Sequence, residues 1–177
     1  MKNLSNFFAL FIFFLLVTGC SLFKKDYPEI AHAITLRTAE QLKKEKGMEL
    51  IGTGGGMIDQ VNRLSMFLNY YSPQETPEAR KLALFVVDKF LHNINSDEKV
   101  RPYLNNYPFK IEDLKIFLSF YQPNGEDVEL KKIDHIVIRN GKLIYKARDK
   151  KITLPYIILF EETIAEAREK VSDITNK

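Results

Sequence analysis

The chain has one cysteine, no tryptophan and three histidines among its 177 residues. A single cysteine excludes an internal disulfide framework and a cysteine-cluster metal site. His32, His92 and His135 have no second histidine or acidic residue at a ligand spacing such as H-E-x-x-H, so no metal is expected and each reads as a structural or surface histidine. There is no G-x-S-x-G elbow and no Gly-Lys-Ser/Thr phosphate loop, and hence no visible nucleophile site or nucleotide cradle. The adjacent acidic pairs Glu112-Asp113, Glu126-Asp127 and Glu161-Glu162 point in different directions on a strand or helix and read as solvated ends, not as acid/base pairs. Charge of one sign is also lacking. Twenty-six Lys and Arg against 23 Asp and Glu leave +3, which argues against the concentrated basic stripe of a nucleic-acid binder. No cofactor and no catalytic constellation are expected.

Aromatic and apolar residues, by contrast, are unevenly placed. Phe7, Phe8, Phe11, Phe13 and Phe14 crowd the amino terminus, and residues 7–17 form an unbroken apolar run of 11. A bilayer-spanning helix needs roughly 20 apolar residues. The wider window 4–23 is interrupted by Ser5, Asn6, Thr18 and Ser21. With Lys2 before it, the run has the length of the apolar region of a secretory signal peptide. It ends in Val17-Thr18-Gly19-Cys20. This resembles the lipobox of bacterial lipoprotein precursors: an aliphatic residue, a small residue, glycine or alanine, then cysteine. The resemblance covers only the leader. It implies a diacylglyceryl group on the Cys20 sulfur, cleavage between Gly19 and Cys20, and acylation of the new amino terminus. It places the chain on the bacterial cell envelope, with its domain facing periplasm or exterior. Ser21, where an Asp would favour the inner membrane in enteric bacteria, points to the outer membrane.

Three regions follow: a signal peptide at 1–19, the lipidated cysteine and tether at 20–27, and one domain at 28–175. From Cys20 to Pro28 an extended chain spans at most about 3.3–3.6 Å per residue, so the domain sits close to the membrane. Pro28 suits a first helical turn, Ile30, Ala33, Ile34 and Leu42 recur at helical spacing, and Gly47 is a stop after Lys43, Lys44 and Lys46. Thr76-Pro77-Glu78 opens the clearest helix, whose stripe runs through Ala79, Leu82, Ala83, Val86, Val87, Phe90, Leu91 and Ile94. Segment 64–73 matches segment 114–123, with Leu, Phe, Leu, Tyr and Pro recurring in register; both read as strands of one sheet. Asn140-Gly141 is a two-residue hairpin turn that pairs Ile138 with Leu143, Ile136 with Tyr145 and Val137 with Ile144. Ile157, Phe160, Ile164 and Val171 mark a closing helix. The expected fold is α+β, with a mostly antiparallel sheet of four or five strands and three main helices, in the order α-β-α-β-β-β-α.

Two features suggest contact. Four of the eight glycines stand within residues 52–56, and Gly54, Gly55 and Gly56 read as a structural turn or bulge, or else a ligand-facing loop. Tyr71, Tyr121, Tyr103 and Tyr107 combine an apolar ring with a polar tip, which suits a binding face or the rim of a core. The expected function is a non-enzymatic binding or accessory module for another envelope protein, held to the membrane by the lipid on Cys20. A small-molecule, peptide or glycan binder, or an enzyme without a visible motif, remains as the alternative.

Overall fold

A computed structural model describes residues 26–149 and 156–175. Helix α1 (Tyr27–Lys46) has Pro28 in its first turn and three lysines in its last, and ends on Gly47 at φ 74°, whose N–H donates to Lys43 O at 2.9 Å. Ala33 turns outward, while Ala31, Ile34, Thr38 and Leu42 form the buried stripe. Strands β1 (Glu49–Gly56) and β2 (Arg63–Tyr70) follow, then α2 (Thr76–Ser96), β3 (Leu114–Phe120), β4 (His135–Arg139), β5 (Lys142–Arg148), β6 (Tyr156–Thr163) and α3 (Ile164–Thr175). The strands form one sheet in the order β1-β2-β3-β4-β5-β6. Only β2 and β3 are parallel; the connection between them passes through α2.

The α+β class and the order of the expected elements hold, but the sheet has six strands rather than four or five. One added strand is the glycine run. The glycines at positive φ are Gly47, Gly125 and Gly141, so Gly54, Gly55 and Gly56 form no turn; they are extended and pair with Ser65, Leu64 and Arg63. The bulge falls earlier, at Ile51, where the register shifts.

The second added strand begins where a helix is expected. The β-prone run Tyr156 to Phe160 pairs with β5, and the helix starts only at Ile164. A capping box sets that boundary. The Thr163 N–H donates to Glu166 Oε2 at 2.7 Å, and the Glu166 N–H to Thr163 Oγ1 at 3.2 Å.

The hairpin has the expected register, with Asn140 at φ 50° and Gly141 at φ 71°. The two similar segments lie side by side in parallel, Leu64 beside Leu114 through Tyr70 beside Phe120. Leu64, Met66 and Leu68, with Leu114, Ile116, Leu118 and Phe120, are buried with the α2 residues Ala79, Ala83, Val86, Val87, Phe90 and Ile94. The other face carries Phe67 stacked on Phe117 at 4.8 Å and Tyr71 tilted against Tyr121 at 5.8 Å.

The glycine strand yields a test. A Cβ on Gly55 would lie 2.7 Å from the Arg63 carbonyl oxygen, whereas on Gly54 or Gly56 it meets only side-chain carbons at 3.7 and 3.8 Å. Gly55→Ala is therefore expected to cost about 1–3 kcal/mol. Gly54→Ala and Gly56→Ala should be neutral or slightly stabilising, because alanine restricts the unfolded chain. Denaturant melts check this, and equal losses at all three positions would count against the strand.

Candidate functional site

Gly19 and Cys20, the expected cleavage and lipidation residues, lie outside the described residues. The expected contact tyrosines fall into two groups at opposite ends of β2. Tyr71 and Tyr121 follow the last residues of β2 and β3, and Tyr71 is 37% exposed. The Asn69 amide donates to the Tyr71 hydroxyl at 3.4 Å, while its own buried Oδ1 accepts no hydrogen bond among the described residues.

Tyr103 and Tyr107 lie at the other end. The Val61 N–H, just before β2, donates to Tyr103 O at 2.7 Å. The Tyr103 ring stacks on Tyr27 at 5.2 Å, and the Arg101 guanidinium lies 4.8 Å over the Tyr107 ring. β2 itself, Arg63 to Tyr70, lies between the two groups and spans seven steps of about 3.3 Å, about 23 Å. The segment carrying Tyr103 is tied to the end of α2, where Asn95 exchanges hydrogen bonds with Phe109 at 2.6 and 3.1 Å.

Four open clefts lie between α1 and β1, between α1 and α2, between α2 and α3, and beside the 122–133 loop. None of these four is lined by Gly54, Gly55, Gly56 or any of the four tyrosines.

Two clusters of titratable groups were not legible as such. In the first, Glu162 is not a solvated end. It is 4% exposed and points to the helical side of β6. Its carboxylate accepts from Arg80 at 2.6 and 3.2 Å, from the Tyr145 hydroxyl at 2.6 Å and from Lys170 at 2.7 Å. Burial opposes ionisation of Glu162, but the hydrogen bonds from Arg80, Lys170 and Tyr145 outweigh it and hold the carboxyl below the usual glutamate range. Burial, reinforced by the anionic Glu162, drives the Tyr145 hydroxyl far above its usual range. A carboxylate saturated by three donors has no lone pair directed at an open site, so this cluster joins α2, β5, β6 and α3 rather than serving as an acid or base.

The second cluster surrounds His135. Its Nδ1 lies 2.8 Å from Asp134 Oδ2. Asp134 Oδ1 also lies 2.7 Å from Arg148 Nε, close but too poorly aligned for a hydrogen bond. Arg148 is ion-paired with Asp127 as well. The Asp-His pair faces Ser119 across the β3–β4 ladder, with no hydrogen bond between His135 and Ser119. It ties the loop before β4 to β5. His32 and His92 are exposed on α1 and α2.

Among the described residues, no group of three or more His, Cys, Asp or Glu side chains is placed to hold a metal ion. Also among them, no helix is long and apolar enough to cross a membrane. The chain matches no family model, no curated protein and no solved structure.

Proposed function

We propose that the protein is a lipid-anchored component of the bacterial cell envelope, attached through Cys20. Its domain serves as a non-enzymatic binding or accessory module for another envelope protein. One observation carries the anchor: the only cysteine stands at the fourth place of Val17-Thr18-Gly19-Cys20, directly after an apolar run too short to span a bilayer. Ser21 favours the outer membrane. The module reading is supported by the Tyr71–Tyr121 pair, two aromatic rings with polar tips on the sheet face away from the core. Such residues are enriched at protein interfaces. A second reading, a peptide or glycan stacking on the same rings, is favoured by the unpartnered Asn69 Oδ1 beside them.

Cys20→Ala is expected to leave a full-length precursor, because both lipid transfer and the subsequent cleavage depend on the thiol. The native protein should enter the detergent phase and show the mass of a chain cut before Cys20 plus its acyl groups. An unmodified Cys20 in mature native protein would overturn the anchor. Capture of envelope partners by cross-linking should weaken in Tyr71→Ala and Tyr121→Ala, and unchanged capture by both variants would remove these rings from the contact.

A further inference from the structure

We propose that the end of the domain carrying Ile58, Arg101, Tyr103 and Tyr107 rests in the headgroup layer of the membrane that holds the Cys20 lipid. The inference rests on the anchor reading and adds a second, noncovalent membrane contact that fixes which way the domain faces.

The tether sets the geometry. Tyr27, the first residue of α1, stands seven residues after Cys20. Seven residues reach at most about 25 Å even when fully extended. A folded domain of this length has a radius of gyration of about 15 Å. The tether is thus shorter than the domain is wide, and the end bearing Tyr27 stays beside the bilayer.

Tyr27 organises that end. Its hydroxyl donates to the Ile58 carbonyl oxygen at 2.9 Å, and its ring stacks on Tyr103. Ile58 in the 57–62 loop and Tyr103 in the 101–107 segment therefore lie against the first residue of α1. Ile58 is 84% exposed, more than any other large apolar side chain among the described residues, and Tyr107 is 55% exposed. The chemistry matches a lipid interface. Tyrosine places its ring among acyl carbons and its hydroxyl among headgroups. Arginine keeps its aliphatic stem in the apolar layer while its guanidinium reaches a phosphate. Arg101 already lies over the Tyr107 ring, so the two present one amphipathic surface. Lys24, Lys25, Lys99 and Arg101 stand against Asp26, Glu29 and Asp59, a near balance that does not require anionic lipid. The contact need not be strong, because a short tether holds it at an effective concentration of about millimolar.

The consequence is an orientation. The Tyr71–Tyr121 pair, at the other end of β2, is then turned away from the bilayer and left open to a partner.

The absence of tryptophan makes the test clean. Ile58→Trp introduces a single emitter into the full-length chain, which is exported, processed and reconstituted into phosphatidylcholine–phosphatidylethanolamine vesicles with brominated acyl chains. We expect at least two-fold quenching relative to unbrominated vesicles and a blue-shifted emission. Tyr107→Trp should behave alike. Ile158→Trp, on β6 at 61% exposure, should be unquenched, which controls for the affinity of tryptophan itself for interfaces. Unquenched tryptophans at 58 and 107, in protein whose mass shows lipid on Cys20, would overturn the contact, leave the anchor standing and assign this end to a protein partner. Equal quenching at 58 and 158 would overturn the orientation. A free Cys20 thiol in the mature chain would remove anchor and contact together.

Discussion

Glu162→Ala is expected to destabilise the domain by about 3–5 kcal/mol, the usual cost of removing one partner from a buried ion pair. The side chains of Arg80 and Glu162 are only 9% and 2% exposed, so water does not replace the lost carboxylate. Alanine would leave the Arg80 guanidinium and the Tyr145 hydroxyl without their acceptor. Lys170 is half in solvent and contributes little. For a chain of this size the loss corresponds to a melting temperature lower by about 10 °C or more. Replacing Arg80 and Glu162 together by apolar residues of similar volume should cost far less, because no charge is left unpaired. Denaturant unfolding at neutral pH distinguishes the two. A loss below about 1 kcal/mol for Glu162→Ala would mean that the cluster is hydrated rather than closed.

The same carboxylate sets part of the acid limit. Its folded pKa lies below the unfolded value, so its contribution is fully present above the unfolded glutamate pKa of about 4.3. That contribution is lost as pH falls through the folded value. Glu162→Gln should therefore flatten the decline of stability below about pH 4.5 while lowering stability at neutrality. A variant whose acid limb runs parallel to that of the native chain would assign the decline to other carboxylates.

Why the sequence conceals this cluster is physical. In the sequence, Glu161-Glu162 falls near the start of a helix marked by Ile157, Phe160, Ile164 and Val171, where an acidic pair suits the solvated first turn. The overlooked signal is Thr163-Ile-Ala-Glu166, a capping box that moves the helix start to Ile164 and leaves a strand before it. On that strand Glu162 pairs with Leu143 and Phe160 with Tyr145, which turns the carboxylate inward. A second signal lay in α2. Arg80 precedes Ala83, Leu84 and Val87 by three, four and seven residues, so it shares the buried face. A buried arginine requires an acceptor. The hairpin and the helix from Thr76 were legible because turn chemistry and periodicity are local. The glycine run was misread because its composition suggested a turn, bulge or loop, whereas it is extended strand in which close backbone approach constrains Gly55 alone among Gly54, Gly55 and Gly56. The tyrosines were recognised as contact candidates, but their division between two ends depends on the parallel pairing of β2 with β3, which no local pattern encodes.

That pairing leads to the second large effect, at two adjacent residues with opposite consequences. Phe120 ends β3 on the helical face at 1% exposure, with its ring edge-on to Tyr70 at 6.3 Å. Phe120→Ala should cost about 3–5 kcal/mol, the sum of lost transfer energy and an unfilled cavity. Tyr121 is the next residue and lies on the opposite face against Tyr71. Tyr121→Ala should cost only about 1 kcal/mol, because its partly buried ring lies outside the core cluster. Tyr70 is only partly buried, so Tyr70→Ala should fall between the two. Partner capture should rank in reverse, with Tyr121→Ala impaired and Phe120→Ala normal at temperatures where it remains folded. The two measurements together test the strand register, because a slip of one residue exchanges the faces of every side chain on β3. If Tyr121→Ala unfolds the domain while Phe120→Ala is mild, the faces are inverted, and Lys115, Phe117 and Ser119 belong to the core in place of Ile116 and Leu118.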